Sequence, residues 1–276
     1  MPSAIHPTAV VDPGAKLGQN VEVGPYAVVG AEVEIGDGCR IGSGSQIAGP
    51  TVLGAENRIF SHACIGFDPQ DKKYQGERTV LEVGRGNVFR EFCTVHRGTS
   101  LGGGVTSIGD GNLLMAYVHV AHDCRLGDET VLANNATLAG HVEVHDHATL
   151  AAFCGVQQFC RIGRYAYVGG YTVITIDVLP FSRAVGIKAA FLGLNRVGLE
   201  RNGFSRDQMR QVETGLRLLV RAGLNATQAL DRLRAEHAGD EHVDYLIDFV
   251  SSAERGFIKA LPGRRGGRGE GSDPAG

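Results

Sequence analysis

The sequence has no tryptophan, and phenylalanine and tyrosine together make up only 7% of its 276 residues. Beside forty glycines, that shortage points to a turn-rich chain. No charge of one sign dominates either: 27 basic and 30 acidic residues leave a formal net charge of −3, which gives no electrostatic case for nucleic acid. No apolar run approaches the roughly 20 residues that span a bilayer, so no transmembrane segment is expected. The start, MPSAIHPTAVVDPG, lacks the basic and apolar regions of an export signal, which leads to the expectation of a cytoplasmic protein. The six cysteines include no CxxC pair, which argues against a redox or zinc framework. The run Gly102-Gly103-Gly104 precedes no Lys-Ser/Thr pair and no helical pattern, so it is not a phosphate loop.

What is present is a period of six. Aliphatic residues recur at Ile108, Leu114, Val120, Leu126, Leu132, Leu138, Val144, Leu150, Val156, Ile162, Val168 and Ile174. An equivalent ladder runs from Ile5 through Val11 and Leu17 to Ile59 and Ile65, with a short middle run at Val83, Phe89 and Val95. Units such as IGDGCR and LGDETV read as one short strand and a turn, the signature of a parallel β-helix. The first residue and the small fifth residue face inward, while Gly, Asp and Asn at the second to fourth places allow the tight corner. Three units make one triangular coil, and coils gain stability only by stacking. Five cysteines, Cys39, Cys93, Cys124, Cys154 and Cys160, occupy the small fifth slot, as buried reduced thiols would.

The ladder is interrupted twice. The polar stretch 67–79 reads as a loop projecting from one corner, where solenoids carry specificity; Asp71 and Lys73 are its candidate substrate contacts, against the plainer alternative of a solvated charged loop. A second excursion occupies 98–107. After Pro180 the period ends, and Ser205 caps a helical pattern of Met209, Val212, Leu216, Leu219 and Val220. Further helices are expected near 227–237 and 241–255. The expected organisation is a β-helix over 1–186, an α-helical region over 187–262, and a disordered tail over 263–276. Arg206, Arg210, Arg217 and Arg221 fall on one side of the first helix with Glu213, a stripe suited to an acidic partner or to solvent alone.

The chemistry concentrates between Leu114 and Val144. His119, His122 and His141 take the last, third and fourth places of their units, so none is in an inward slot. One coil is three units, so His122, Gly140 and Gln158 stack on one edge with His141 beside them. Glycine at 140 removes the side chain next to His122 and leaves a backbone N–H open to a ligand. A histidine base with a donor for an oxyanion is therefore available. Asp123 could orient the imidazole only if the backbone bends, because successive strand residues point opposite ways. Zinc ligation by the three histidines competes, but the close histidine pair of zinc-dependent hexapeptide proteins is spaced differently; no metal and no other cofactor is expected.

HRGT at 96–99, NLLM at 112–115, HVAHDC at 119–124, LANNATLAGHV at 132–142, QFCRIG at 158–163 and GFSR at 203–206 together resemble the UDP-N-acetylglucosamine O-acyltransferase family over nearly the whole chain. The resemblance implies a left-handed coil and a homotrimer with sites between neighbouring β-helices. It also implies transfer of a 3-hydroxyacyl group from acyl carrier protein to the glucosamine 3-hydroxyl of UDP-N-acetylglucosamine, the first step of lipid A biosynthesis. By position, His122 matches the family's base, assisted by Asp123, and Gly140 its oxyanion donor. Asp71, Lys73, His119, His141 and Gln158 match substrate contacts, Asn195 and Arg201 nucleotide-side contacts, and Gly170 the position that sets acyl-chain length, a glycine there implying longer chains. Gln157, Val197 and Asn202 depart from the family's usual histidine, acidic residue and arginine. They keep open a divergent acyltransferase acting on a 3-amino sugar nucleotide or with another donor, and a catalytically impaired paralogue.

Overall fold

The computed structural model describes residues 3–237 and 239–260; the tail expected over 263–276 lies outside them. Short parallel strands stack into three sheets of 11, 9 and 8 strands. We call these the first, second and third faces, in the order the chain first visits them at Ala4–Ile5, Val10–Val11 and Lys16–Leu17. Coils stay in register, with Val120 opposite Leu138 and Leu138 opposite Val156 on the second face. The fold is a left-handed parallel β-helix followed by a small group of helices.

The period of six fixes the core. Every ladder residue from Val23 to Ile174 is at most 5% exposed, and each such aliphatic side chain contributes roughly 1.5–3 kcal/mol by leaving water. Ile5 departs from the expected inward slot, being 46% exposed, because among the described residues its strand is covered by a neighbouring coil on one side only. The fourth place of most units takes the left-handed backbone that closes the corner, at Asn135, His141, Phe159 and many others. Glycine fills the same slot at Gly38, Gly44, Gly86 and Gly111. A polar ladder threads the interior: Asn57 Oδ1 accepts the Asn87 amides, Asn87 Oδ1 those of Asn112, and Asn112 Oδ1 the Thr130 N–H and hydroxyl. Each buried acceptor there is satisfied by the next coil. The six cysteines are free, all but Cys64 fully buried.

Ser182–Val185 is the last strand to join the first face in parallel, and Ala190–Leu194 returns antiparallel against it. This hairpin breaks the six-residue rhythm and was not legible from it. Four helices follow: α1 (Arg196–Arg201), α2 (Arg206–Arg221), α3 (Ala226–His237) and α4 (Glu241–Ser251). Ser205 and Gln208 form a reciprocal capping box at α2, and Met209, Val212, Leu216 and Leu219 are buried. α4 stops at Ser251, short of the expected 255, where the Ser252 hydroxyl engages the carbonyls of Asp248 and Phe249. Arg161, from the third face, ties the helices down. It pairs with Asp177 at 2.7 Å, donates to Phe249 O at 2.9 Å, and lies 4.3 Å from the Phe249 ring. No described helix is long and apolar enough to cross a membrane.

Candidate active site

Because coils stack in register, whatever leaves one corner is piled on that corner in the coils above. Both interruptions leave the turn from the second face to the third: the loop 68–79 joins Cys64–Phe67 to Val80–Val83, and 97–104 joins Thr94–His96 to Val105–Ile108. The next passages of that corner carry His122, then Gly140 and His141, then Gln158 and Phe159. Backbone bonds lock these turns together, His141 N–H donating to His122 O at 3.0 Å and Phe159 N–H to Gly140 O at 3.3 Å.

The bend that Asp123 needed is present: its φ of 60° lies in the left-handed region, and its side chain swings to the same side as that of His122. His122 Nδ1 lies 2.7 Å from Asp123 Oδ2. An ionised carboxylate only accepts, so Nδ1 carries the proton and the Nε2 lone pair is free. His122 lies over Gly140, so closely that a Cβ at 140 would fall 2.5 Å from Cε1 and 2.7 Å from Nε2. The φ of Gly140 is not among the left-handed ones; glycine is required there by close approach. Its N–H donates to none of the described residues.

His141 stands perpendicular to His122 with ring centroids 5.2 Å apart, and stacks on Phe159 at 4.4 Å. Its Nε2 is 3.7 Å from Asp123 Oδ2. His122, Asp123 and His141 each offer a donor atom within 4.8 Å of the others, a geometry compatible with a metal, although the Asp123 carboxylate already accepts three hydrogen bonds. His119 Nδ1 is 2.7 Å from the Thr94 hydroxyl. Burial lowers the His119 pKa, with the neighbouring charge of His122 acting in the same direction. Burial also lowers that of His141, while the Asp123 carboxylate opposes the shift; Asp71 and Lys73 lie near enough for their charges to act on it as well. A cleft of about 700 Å³ runs from Gly102 and Asp123 past His141 and Gln158 to Ser252 and Arg255 beyond the end of α4.

The remaining candidates are elsewhere on the chain. Gly170 lies in the turn from the first face to the second, between Tyr167–Val168 and Val173–Ile174. Asn195 caps α1 and donates to Tyr165 O at 2.9 Å, at the third corner, and Arg201 is exposed at the end of that helix. None of the three joins His122 within one chain.

Sequence reasoning missed the group that holds Asp123. Asp123 Oδ1 accepts the Thr99 N–H at 2.7 Å, Oδ2 accepts the Thr99 hydroxyl at 2.7 Å, and the Asp123 N–H donates to Thr106 Oγ1 at 2.7 Å. Arg97, also buried, ties Gly66 O, Asp68 and Tyr74 at the root of the projecting loop. His96 packs edge-on to His119, centroids 5.1 Å apart, and burial pushes its pKa down to about 4. The signal available was HRGT itself, an unbroken polar run at the foot of the second interruption.

Comparison with known proteins follows the same lines. Residues 177–258 match the family model for domain 2 of UDP-N-acetylglucosamine O-acyltransferase, and 14–49 and 106–140 match that of the bacterial transferase hexapeptide repeat. The acyl-(acyl-carrier-protein)–UDP-N-acetylglucosamine O-acyltransferase of Halorhodospira halophila is 49% identical over 92% of this chain and 99% of its own. That of Verminephrobacter eiseniae is 50% identical over 93% and 100%. The crystal structure of the Moraxella catarrhalis UDP-N-acetylglucosamine O-acyltransferase superposes with a TM-score of 0.90 at 42% identity, covering 92% of this chain and 99% of that one.

Proposed function

The chain belongs to the UDP-N-acetylglucosamine O-acyltransferase family, and from that premise we propose how its own residues carry the reaction. The enzyme transfers an acyl group from acyl carrier protein to UDP-N-acetylglucosamine, the first step of lipid A biosynthesis. The group transferred is a 3-hydroxyacyl chain and the acceptor is the glucosamine 3-hydroxyl. His122 Nε2 takes the hydroxyl proton as the oxygen attacks the thioester carbonyl carbon. The Gly140 N–H holds the oxyanion of the tetrahedral intermediate. Its collapse breaks the carbon–sulfur bond, and the imidazolium returns the proton to the departing thiolate of the carrier. Asp123 keeps the Nδ1 proton in place and stabilises the imidazolium.

The observation that carries this assignment is the approach of the His122 ring to Gly140, 2.5 Å from where a Cβ would stand, with Nδ1 held by Asp123. His119, His141, Gln158, Asp71 and Lys73 line the acceptor. Gly170, Asn195 and Arg201 serve the site of a neighbouring copy: their positions on other corners support a homotrimer in which each cleft is completed by a second chain. The exposed Arg206, Arg210 and Arg217 on α2 face the acidic carrier protein, and the enzyme works in the cytoplasm.

The test is His122→Ala. Loss of a general base is expected to lower kcat by on the order of 10²–10⁴ while the melting temperature stays close to that of wild type, since the ring is not part of the aliphatic core. A variant with wild-type kcat contradicts the assignment.

A further inference from the structure

Resting on the assignment of His122 as base, we infer that Thr99 is a positioning residue for the His122–Asp123 pair, and that the excursion at 97–104 delivers it. The Asp123 carboxylate is 1% exposed and both hydrogen bonds it accepts besides that of His122 come from one residue. The Thr99 N–H binds Oδ1 and the Thr99 hydroxyl binds Oδ2, both at 2.7 Å. Two parallel donors from a single residue fix the carboxylate plane, and with it the direction in which Oδ2 meets His122 Nδ1. The hydroxyl is itself oriented, because it accepts the Gly102 N–H at 3.2 Å while Thr99 caps the short 3₁₀ turn Ser100–Gly102.

The turn is shaped around the carboxylate. A Cβ on Gly102 would stand 2.1 Å from Asp123 Cγ, so the loop can close onto Asp123 only with glycine there. The strand that follows the excursion, Val105–Ile108, supplies Thr106, fully buried, whose hydroxyl accepts the Asp123 N–H at 2.7 Å. The excursion and the strand after it therefore converge on one aspartate in the next coil. An ordinary corner would not carry Thr99. A histidine aimed at a substrate by a carboxylate is only as well placed as that carboxylate, and rigid support behind the reacting pair decides whether the geometry is reached.

The experiment is a set of variants of the full-length protein assayed for acyl transfer. Thr99→Val, which keeps shape and backbone N–H but loses the hydroxyl, is expected to lower kcat roughly tenfold with KM for UDP-N-acetylglucosamine unchanged. Thr99→Ser restores the hydroxyl and is expected to recover most of the rate. In an Asp123→Asn background Thr99→Val adds no further loss, because Thr99 acts through Asp123. Should Thr99→Val prove unfolded by thermal melting, Thr99→Ala carries the same expectations. Wild-type kcat in the hydroxyl-free variant, a loss that appears in KM, or a full additional loss in the Asp123→Asn background overturns the inference. His122→Ala, assayed alongside, separates the two levels: its inactivity with an unaffected Thr99→Val refutes the role of Thr99 alone, whereas its full activity refutes the base itself.

Discussion

Gly140→Ala isolates the close approach on which the proposed chemistry depends. Since φ at 140 is outside the left-handed region, alanine adopts the backbone without strain, and the perturbation is the methyl group alone. That methyl would sit 2.5 Å from Cε1 and 2.7 Å from Nε2 of His122, where ordinary contact begins near 3.4 Å. The ring must retreat by about 0.9 Å from the position in which Asp123 holds it at 2.7 Å. A displacement of about 1 Å in a reacting group costs roughly 10²-fold in rate. Steady-state acyl transfer is therefore expected to show kcat reduced by that order, in a protein that still folds but melts somewhat lower, because overpacking a buried glycine by one methyl costs roughly 1–3 kcal/mol. A variant within threefold of wild type would refute the idea that base and oxyanion donor must be in contact.

His96 gives a pH dependence of stability. Its pKa is held down to about 4 by burial, against 6.5 in the unfolded chain, so the unfolded chain binds the proton first as pH falls. The stabilisation is complete above pH 6.5 and is lost toward pH 4, amounting to roughly 3 kcal/mol. Denaturant titrations at pH 7 and pH 4.5 should show a shallower loss in His96→Gln than in wild type. Equal slopes would refute it. Asn87→Leu leaves the buried Asn112 amide groups without their acceptor and is expected to cost about 3 kcal/mol, read as a lower denaturation midpoint. Gly170→Met is expected to shift the preferred donor toward shorter acyl chains in competition assays, since a Cβ there meets only Ala152 O, at 3.3 Å, and the rest of the side chain projects outward. An unchanged chain preference would remove Gly170 from the acyl groove.

The period of six made most of the β-helix legible, because each ladder residue repeats the same burial in every coil. It also phased His122, Gly140 and Gln158 onto one edge. Asp123 was legible in principle: it shares its slot with Gly38, Gly44, Gly86 and Gly111, and that sharing marks a left-handed turn which lets neighbours converge. What the period could not carry was the interior of the two excursions. Thr99 reaches Asp123 through a non-repeating 3₁₀ turn, and Arg97 reaches Asp68 and Tyr74 across the coil below, contacts between residues whose separations of 24, 29 and 23 are not multiples of a coil. The hairpin at Ala190–Leu194 and helix α1 escaped for a related reason: they begin where periodicity ends and are fixed by tertiary contacts such as Asn195 to Tyr165 O.

The decisive measurement is acyl transfer by purified protein supplied with UDP-N-acetylglucosamine and a series of 3-hydroxyacyl carrier proteins, wild type beside His122→Ala, with the product identified by mass. A single 3-hydroxyacyl addition to the sugar nucleotide, favoured with the longer chains and lost in the variant, is the predicted result. A folded wild-type protein that acylates only a 3-amino sugar nucleotide, or a His122→Ala variant that transfers as fast as wild type, would contradict O-acyl transfer by a histidine base.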